Sequence, residues 1–297
     1  MIDPGCTARL YPLSGLRSGH SFERRETNLS ARVRIRRSAQ KIYVRAIRPL
    51  ISREIDRQRL KLVTWDMWGY RRLFGMRGLS PGKKLHVLKR FLAIDWNVGH
   101  AHKPSEIAEV CRELAERPAR PGECLVEAGC WQGGSSAKFS VVCRLLGYRL
   151  RVYDSFQGVE PMTEDEKKDS YDFSGEYAAP EDLVRRHIEE FGEPGVCSLH
   201  AGWFADTLAV TPIPDPVRVA YIDCDVAKGT HEALEGIVPA LSDDGVVFSQ
   251  DFHIRPVRQL LENSATWASL GRGIPEIKPV IRNLARIQFP ATTAVSP

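Results

Sequence analysis

The chain has 297 residues, of which 43% are hydrophobic and 27% are charged. This length allows one large domain, or a core domain with an extension, because single domains usually hold ~100 to 200 residues. The composition excludes a wholly disordered chain. A membrane-spanning helix and a secretory signal are not expected, since no apolar stretch approaches the ~18 residues that a span requires and the N-terminus has no apolar core.

Charge is distributed unevenly along the chain. Residues 1–61 contain fifteen Lys/Arg and five Asp/Glu, whereas the remainder contains 27 and 32. Such a basic arm is most often a solvated helix face, but it also permits peripheral contact with an anionic membrane or an acidic partner. Nucleic-acid binding is not expected, because few aromatic residues are interleaved with the basic ones. A homo-oligomer is left open.

The seven cysteines are read as reduced thiols. They form no CxxC pair and no metal-binding spacing with histidine. Three of them lie in apolar runs, where cysteine behaves as a small hydrophobic residue. A cytoplasmic location is therefore expected.

The first 117 residues are predicted to be a tail followed by helices. Residues 1–61 are interpreted as a basic tail and an amphipathic helix, which Pro49 interrupts. Residues 62–117 are interpreted as a helical cap region, with helices at 84–95 and 105–117. Ser105 is the predicted N-cap of the second helix.

Residues 118–297 show short strands alternating with helices, the pattern of a doubly wound, mostly parallel α/β sheet. The predicted strands are 123–128, 149–153, 196–200, 217–222 and 245–250. The predicted helices are about 135–146, 180–191, 229–241 and 254–263. An antiparallel hairpin is expected at the edge, around residues 276–289. The fold class is therefore Rossmann-like α/β with an N-terminal helical extension.

A glycine turn connects the first strand to its helix in "LVEAGCWQGGSS". Glu127 ends the strand, Gly129 and Gly133 follow, and Ser135 opens the helix. Glycine lets backbone approach a ligand closely, and a helix N-terminus attracts anions. The GxxxGG spacing differs from GxGxxG and so argues against a nicotinamide enzyme. A glycine turn with no ligand is the alternative.

The second strand ends in an acid, in "RVYDSFQG". Asp154, followed by Ser155, would face the crevice above the sheet, where a carboxylate accepts hydrogen bonds from both hydroxyls of a ribose. The alternative is a turn-forming Asp-Ser pair. An acid here, together with the glycine turn, favours a ligand that contains a nucleoside.

Four motifs, "VEAGCWQGG", "DSFQG", "GWFADTL" and "DCD", occur in this order within residues 120–255. In this respect the chain resembles the macrocin O-methyltransferase family of class I S-adenosylmethionine-dependent methyltransferases. The resemblance implies S-adenosylmethionine as cofactor, with Glu127 and Gly129 near its methionine end and Asp154 at its ribose. The residues implied at the adenine are Gly202, Trp203 and Phe204. Core packing is the alternative for the two aromatic residues.

The resemblance also implies a divalent cation, usually magnesium, held by the first Asp of "DCD" and by paired acids after the following strand. Asp223 matches the first position, and Gln250 and Asp251 stand at the others. An amide oxygen can ligate a hard cation, but it brings no charge and should weaken binding. Asp225 is interpreted as a turn residue or a supporting group. A nucleotide-sugar transferase DxD motif is disfavoured, because it would not explain the upstream motifs.

Attack of a hydroxyl on a sulfonium methyl requires a group that accepts the hydroxyl proton. Asp223 is the predicted base, and His253 is the second candidate, with a purely structural histidine as the alternative. The polar loop at 161–180 is expected to cover the acceptor or simply to be exposed. The expected reaction is cation-assisted methylation of a sugar hydroxyl on a natural product or glycan. The alternatives are metal-independent methylation of another small molecule, and cofactor binding without catalysis.

Overall fold

A computed structural model describes residues 54–62, 66–169, 171–281 and 283–290. All of them belong to one compact unit, Arg53–Pro297. The predicted basic tail and most of the amphipathic helix lie outside the described residues, and so does the proposed membrane contact. The division into tail, cap and catalytic domain stays a prediction.

Among the described residues, four helical segments precede the sheet. They are α1 (Glu54–Lys61), a 3₁₀ helix (Met67–Gly75), α2 (Pro81–Asn97) and α3 (Pro104–Leu114). The predicted N-cap of α3 is wrong. Lys103 is the cap, its backbone N–H donates to the Glu106 side chain over 2.9 Å, and Ser105 lies inside the first turn. Pro104 begins the helix earlier because its fixed φ suits the first helical position.

Within the part of the chain that the structure describes, the sheet has seven strands in the order β3-β2-β1-β4-β5-β7-β6. Their bounds are β1 (Cys124–Ala128), β2 (Arg149–Asp154), β3 (Cys197–Ala201), β4 (Val217–Ile222), β5 (Leu241–Ser249), β6 (Glu276–Ile281) and β7 (Leu284–Gln288). The strands from β1 to β5 pair in parallel, whereas β7 pairs antiparallel with both β5 and β6. The predicted doubly wound sheet and its edge hairpin are confirmed, although β5 begins at Leu241 rather than at residue 245.

Helices cover both faces of the sheet. They are α4 (Gly134–Leu146), α5 (Glu164–Asp169), α6 (Glu181–Phe191), α7 (Ala227–Ala240), α8 (Arg255–Glu262) and α9 (Ser264–Ser269). Successive residues of β1 enter different cores, with Leu125 in one cluster and Val126 in the other. Ile107 and Val110 of α3 belong to the same cluster as Leu125. The helices before the sheet therefore share a core with it.

Strand order reverses between β1 and β4, where the chain leaves β1 for β2 on one side and later returns to β4 on the other. In open α/β sheets, ligands bind in the crevice outside the carboxyl ends of the strands at such a switch point. The glycine turn follows β1, and the "DCD" motif follows β4. The topology therefore brings both motifs to the same edge of the sheet.

Two further sequence expectations concern the cysteines and the membrane. The six cysteines of the described ranges are free thiols. Among the helices of those same ranges, none is long and apolar enough to cross a bilayer.

Candidate active site

A cavity opens at the carboxyl edge of the sheet, and most of the predicted site residues line it. On one side are Gly129, Ser135, Asp154, Ser155, Gly202, Trp203 and Phe204. On the other are Asp223, Gln250 and His253. Glu127, Gly133 and Asp251 lie outside the lining, and each is described below.

The glycine turn is held tightly against the end of β4. Gly129 has φ +88°, a conformation that glycine adopts readily, and a Cβ placed on it would lie 1.9 Å from the Asp223 carbonyl oxygen. The backbone N–H of Asp223 in turn donates to the Ala128 carbonyl over 2.9 Å. Gly133, at φ +80°, is the N-cap of α4 and packs against Val184 rather than the cavity. Glycine at position 129 therefore lets the turn and Asp223 meet.

Asp154 holds the same turn from the side of β2. Its Oδ2 accepts hydrogen bonds from the backbone N–H groups of Cys130, at 2.7 Å, and Trp131, at 3.3 Å. Its Oδ1 accepts from the Phe156 N–H at 2.7 Å. A carboxylate has ~4 acceptor sites, so capacity remains for ribose hydroxyls. Ser155 forms a turn, as the alternative of a turn-forming Asp-Ser pair predicts, because its Oγ accepts a hydrogen bond from the Gln157 N–H over 3.1 Å.

Glu127 is fully buried behind the glycine turn. Its Oε2 accepts a 2.5 Å hydrogen bond from Ser136 Oγ, while its buried Oε1 has no partner among the described residues. Burial raises the pKa of this carboxyl group to about 7. Because Glu127 is not part of the cavity wall, direct contact with the methionine end of the cofactor stays a prediction.

The predicted adenine residues form a corner of the cavity. Gly202 has φ +141°, and the Trp203 carbonyl accepts from the Thr207 hydroxyl over 2.8 Å, which closes the turn after β3. Trp203 and Phe204 are both half-buried. Phe204 also packs against the core cluster that contains Val126, so for this residue the core-packing alternative applies as well.

The ends of β4 and β5 bring together three carboxylates that we call the acid cluster: Asp223, Asp225 and Asp251. One oxygen from each lies within 4.8 Å of the others. Asp251 Oδ2 accepts from the N–H groups of Cys224, at 2.9 Å, and Asp225, at 2.8 Å. Asp223 Oδ2 accepts from the Tyr221 hydroxyl at 3.2 Å. Asp225, predicted to be a turn residue or a supporting group, has a left-handed backbone with φ +63°, and its carboxylate belongs to the cluster.

Burial and mutual repulsion make the acid cluster reluctant to carry three negative charges. Both effects raise the pKa of Asp223 well above its usual range, and the pKa of Asp225 to about 8. Burial raises the pKa of Asp251 to about 6. Asp251 Oδ1 is buried without a hydrogen bond within the described residues. Hard oxygen donors with excess negative charge and an unpartnered oxygen suit a divalent cation.

Gln250 and His253 complete this side of the cavity. The Gln250 side chain lies beside the buried carboxyl of Glu106, whose pKa is raised chiefly by burial. An amide can lie next to this acid without the repulsion that an aspartate at position 250 would meet. His253 is exposed on the cavity wall, and partial burial of its ring lowers its pKa. Its imidazole is therefore neutral near pH 7 and able to accept a proton.

A second buried group of charges borders the cavity, and sequence reasoning missed it. This lysine cluster consists of Asp95, His100, His102 and Lys138. Lys138 Nζ contacts Asp95 Oδ1 and lies 2.6 Å from His102 Nε2, while His100 Nε2 lies 2.8 Å from Asp95 Oδ1. His100 and His102 line the cavity. The signals available in the sequence were "HAH" before Pro104 and a lysine within the apolar run "AKFSVV".

The lysine cluster is not a second metal site. Ligand atoms of Asp95, His100 and His102 lie close enough to share an ion. The Lys138 ammonium, however, already contacts both Asp95 and His102. Burial alone would raise the pKa of Asp95, but Lys138 and His100 outweigh it and lower that pKa well below its usual range. The chain itself therefore supplies the cation that this carboxylate needs.

The sheet order, the glycine turn, the acid after β2 and the cavity at the switch point define a class I, Rossmann-like methyltransferase. Residues 102–277 match the model of the Macrocin-O-methyltransferase (TylF) family. The chain belongs to this family, and it is an S-adenosylmethionine-dependent O-methyltransferase. The predicted family and enzyme class are thus confirmed, and the nucleotide-sugar transferase alternative is set aside.

Two similar proteins extend this comparison. The chain is 32% identical, over 188 residues, to an 8-demethyl-8-(2,3-dimethoxy-alpha-L-rhamnosyl)-tetracenomycin-C 4'-O-methyltransferase of Streptomyces olivaceus, with 59% of this chain and 71% of the relative covered. Among solved structures, it resembles the O-methyltransferase NovP, with a TM-score of 0.54, 23% identity, and coverage of 64% of this chain and 83% of NovP. This structural similarity supports the Rossmann-like fold of the chain.

Proposed function

We propose that the enzyme methylates a hydroxyl on the sugar part of a small natural product, and that the acid cluster holds a divalent cation at the reacting hydroxyl. One observation carries the proposal. The acid cluster and the glycine turn border the same cavity, and their backbones meet at Gly129 and Asp223. An acceptor oxygen bound at the acids is thereby confined to the same space as a methyl donor on the turn, which favours in-line attack.

The cofactor would lie along the side of the cavity formed by β1, β2 and the turn after β3. Asp154 would accept hydrogen bonds from the ribose, since both of its oxygens already hold backbone in place there. The purine would contact Trp203 and Phe204, whose faces can stack on an aromatic base. Gly129, Ser135 and the N-terminus of α4 would lie at the methionine end, where free amides favour a carboxylate.

The acid cluster would bind the cation through Asp223, Asp225 and Asp251, with the Gln250 amide oxygen as a further donor. When bound, the cation would supply Lewis acidity that lowers the pKa of the acceptor hydroxyl. Asp223 would take the proton as the hydroxyl attacks, because it stands on the cavity wall at the end of β4. His253, three residues beyond Gln250 on the same wall, is the second proton acceptor.

The acceptor side of the cavity has the mixture of groups that binds a sugar. Besides Trp203 and Phe204, aromatic residues on the cavity wall are Phe173 and Tyr177, and Trp131 of the glycine turn lies edge to face against Tyr177 at 5.4 Å between ring centroids. Polar groups on the same wall are Glu160, Glu232 and Asn283. Aromatic faces pack against the apolar face of a sugar, and carboxylates and amides bind its hydroxyls. The Streptomyces olivaceus relative, whose printed name describes a rhamnosyl-bearing substrate, supports the same acceptor class.

The polar loop at 161–180 would cover the acceptor. The residue two positions before the loop is hydrogen-bonded to its second half, since the Val159 N–H donates to the Glu176 carbonyl and the Gly175 N–H to the Val159 carbonyl, both at 2.9 Å. The segment contributes Phe173 and Tyr177 to the cavity wall. A loop that is anchored at its base and presents aromatic residues inward suits the role of a cover.

Calorimetric titration with S-adenosylmethionine tests the proposal, followed by methylation assays on rhamnosylated polyketides and their aglycones, with magnesium or with EDTA. We expect binding of the cofactor, turnover only with the sugar present, and loss of turnover in EDTA. If the cofactor does not bind, the proposed site is wrong. Equal methylation of the aglycone would refute the sugar acceptor. Turnover that persists in EDTA would favour metal-independent catalysis, the second candidate, for which the amide at Gln250 is the supporting observation.

A further inference from the structure

Lys138 lies in the second turn of α4, yet its side chain is completely buried. A buried ammonium is costly unless it is paired and hydrogen-bonded. Here the partners come from the segments before the sheet: Asp95 of α2, and His102 of the connection between α2 and α3. The Tyr70 hydroxyl donates to the other oxygen of Asp95 over 2.5 Å. The arrangement leaves Asp95 ionised and Lys138 as its counter-ion.

The contact with Lys138 determines which nitrogen of His102 carries the proton. A lysine ammonium has three donors and no acceptor, so His102 Nε2, at 2.6 Å, must accept. Burial, followed by the charge of Lys138, lowers the pKa of His102 well below its usual range, and the ring is neutral. Its single proton is therefore on Nδ1. The positive charge behind the ring makes that N–H a stronger donor, as in other charge-assisted hydrogen bonds.

His102 stands where this donor would meet a ligand. The residue is only 5% exposed and belongs to the cavity wall. Its ring stacks on that of His100, with centroids 4.6 Å apart, and the His100 backbone N–H donates to Gln58 Oε1 over 3.0 Å. The connection between α2 and α3 that contains both histidines, residues 99–102, is called the histidine segment. It also touches the start of α4, since a Cβ on Gly134 would lie 3.0 Å from His100 Cβ. A fixed N–H donor beside a helix N-terminus suits an anionic group.

We propose that His102 donates its Nδ1–H to the carboxylate of the methionine part of S-adenosylmethionine, and that Lys138 and Asp95 position it by fixing its tautomer. The inference rests on the proposed cofactor side of the cavity. The carboxylate is the only anionic group of that cofactor, and the donor lies at the end of the cavity where the glycine turn opens α4. Lys138 acts through His102 and has no contact with the ligand.

Binding measured with two ligands tests the role of His102. The full chain, as wild type and as His102→Phe, is titrated with S-adenosylmethionine and with decarboxylated S-adenosylmethionine, which lacks only the carboxylate. Because a hydrogen bond to a charged group contributes ~1.5–3 kcal/mol, we expect His102→Phe to bind S-adenosylmethionine roughly 10- to 100-fold more weakly. Its affinity for the decarboxylated ligand should stay within about twofold of wild type. His231→Phe, on α7 and outside the cavity wall, is the matched control.

Equal loss of affinity for both ligands, or no loss for either, would overturn the role of His102.

Nitrogen-15 NMR of the histidine rings tests the tautomer without a substitution, and a proton on Nε2 of His102 would overturn the part assigned to Lys138. The double variant Asp95→Asn/Lys138→Met removes the ion pair without leaving a buried charge. This double variant should also bind S-adenosylmethionine more weakly than the wild type, while its affinity for the decarboxylated ligand should change little. If the wild type binds neither ligand, the proposed function itself fails. If the wild type binds S-adenosylmethionine and His102→Phe binds it equally well, only the role of His102 fails.

Discussion

Two buried clusters of charge face one cavity, and they are opposite in electrostatic character. In the lysine cluster, Lys138 compensates Asp95 and holds its pKa low. In the acid cluster, the carboxylates of Asp223, Asp225 and Asp251 face one another, and their pKa values are raised. Asp95, Lys138 and Asp251 are fully buried, whereas Asp223 and Asp225 are half-buried at the cavity wall. The difference in pKa shows that the protonation state of a buried carboxylate depends on whether the fold brings a cation to it. Within the described residues, no Lys, Arg or His side chain forms an ion pair with the acid cluster, whereas Lys138 pairs with Asp95.

The largest effect is expected from Asp223→Asn, which removes the proposed base while preserving shape. Turnover should fall by ~10²- to 10⁴-fold, the usual contribution of general acid–base catalysis. The dissociation constant for S-adenosylmethionine, measured by calorimetry, should change little, because Asp223 lies on the acceptor side. Full turnover in the variant would exclude Asp223 as the base and leave His253 as the candidate.

The next largest effect is expected in the lysine cluster, where a substitution should lower the stability of the folded protein. Lys138→Met leaves Asp95 buried without its cation, so the free energy of unfolding should fall by ~3–5 kcal/mol in a denaturant titration. Asp95→Asn/Lys138→Met should recover part of this loss, because the buried charge is gone. Lys89→Met, at an exposed position of α2, is the control and should change stability by less than ~0.5 kcal/mol. A cost below ~1 kcal/mol for Lys138→Met would contradict the view that Asp95 depends on it.

Magnesium should stabilise the protein through the acid cluster. A ligand at 100 times its dissociation constant raises the free energy of unfolding by ~2.7 kcal/mol, which thermal melts with and without EDTA would detect. Asp251→Asn should abolish most of this shift, since it removes a carboxylate with an unpartnered buried oxygen. Asp206→Asn, an exposed control outside the cluster, should keep it. A wild type that does not respond to millimolar magnesium or manganese would argue against a cation site.

The smallest effect is a pH-dependent gain from Asp225→Asn in metal-free protein. The folded-state pKa of Asp225 is raised to about 8, above its unfolded value, so this carboxyl group costs stability increasingly as the pH rises from ~4 towards 8. The variant removes that cost and should be more stable than wild type by ~1 kcal/mol at pH 8, with little difference at pH 4. Asparagine also tolerates the φ of +63° at this position. Denaturant titrations in EDTA at the two pH values measure the difference, and a variant less stable at pH 8 would refute the repulsion.

Much of the fold could be predicted because its determinants are local or periodic. The apolar runs of β1 to β5 alternate with helical segments, so the parallel sheet followed from the order of elements. The boundaries of the strands were harder to predict, because β5 begins at Leu241 and not at residue 245. The cap of α3 was misassigned for a related reason, since Pro104 and Glu106 together outcompete Ser105 at the helix start.

The candidate site was predictable where each strand ends in a motif. Asp154 is the last residue of β2 and Gly129 directly follows β1, and both lie on the cavity wall. The place of the Asp225 carboxylate in the acid cluster could not be predicted, because spacing in the sequence does not reveal the left-handed backbone, φ +63°, at this residue. Glu127 is fully buried outside the cavity wall and accepts a hydrogen bond from Ser136 Oγ, so its predicted contact with the cofactor stays a prediction.

The sequence by itself determined the class of fold, the family, and the positions of the acids and glycines at the strand ends, because short consecutive segments encode those features. Only the tertiary structure decided which charges meet. Lys138 and Asp95 are separated by the whole of α3 and β1. The apolar run "AKFSVV" around Lys138 indicates burial, but it does not identify the partners of the ammonium. The packing of α2 and the histidine segment against α4 buries it, and a buried ammonium must find a carboxylate and an acceptor, which here are Asp95 and His102.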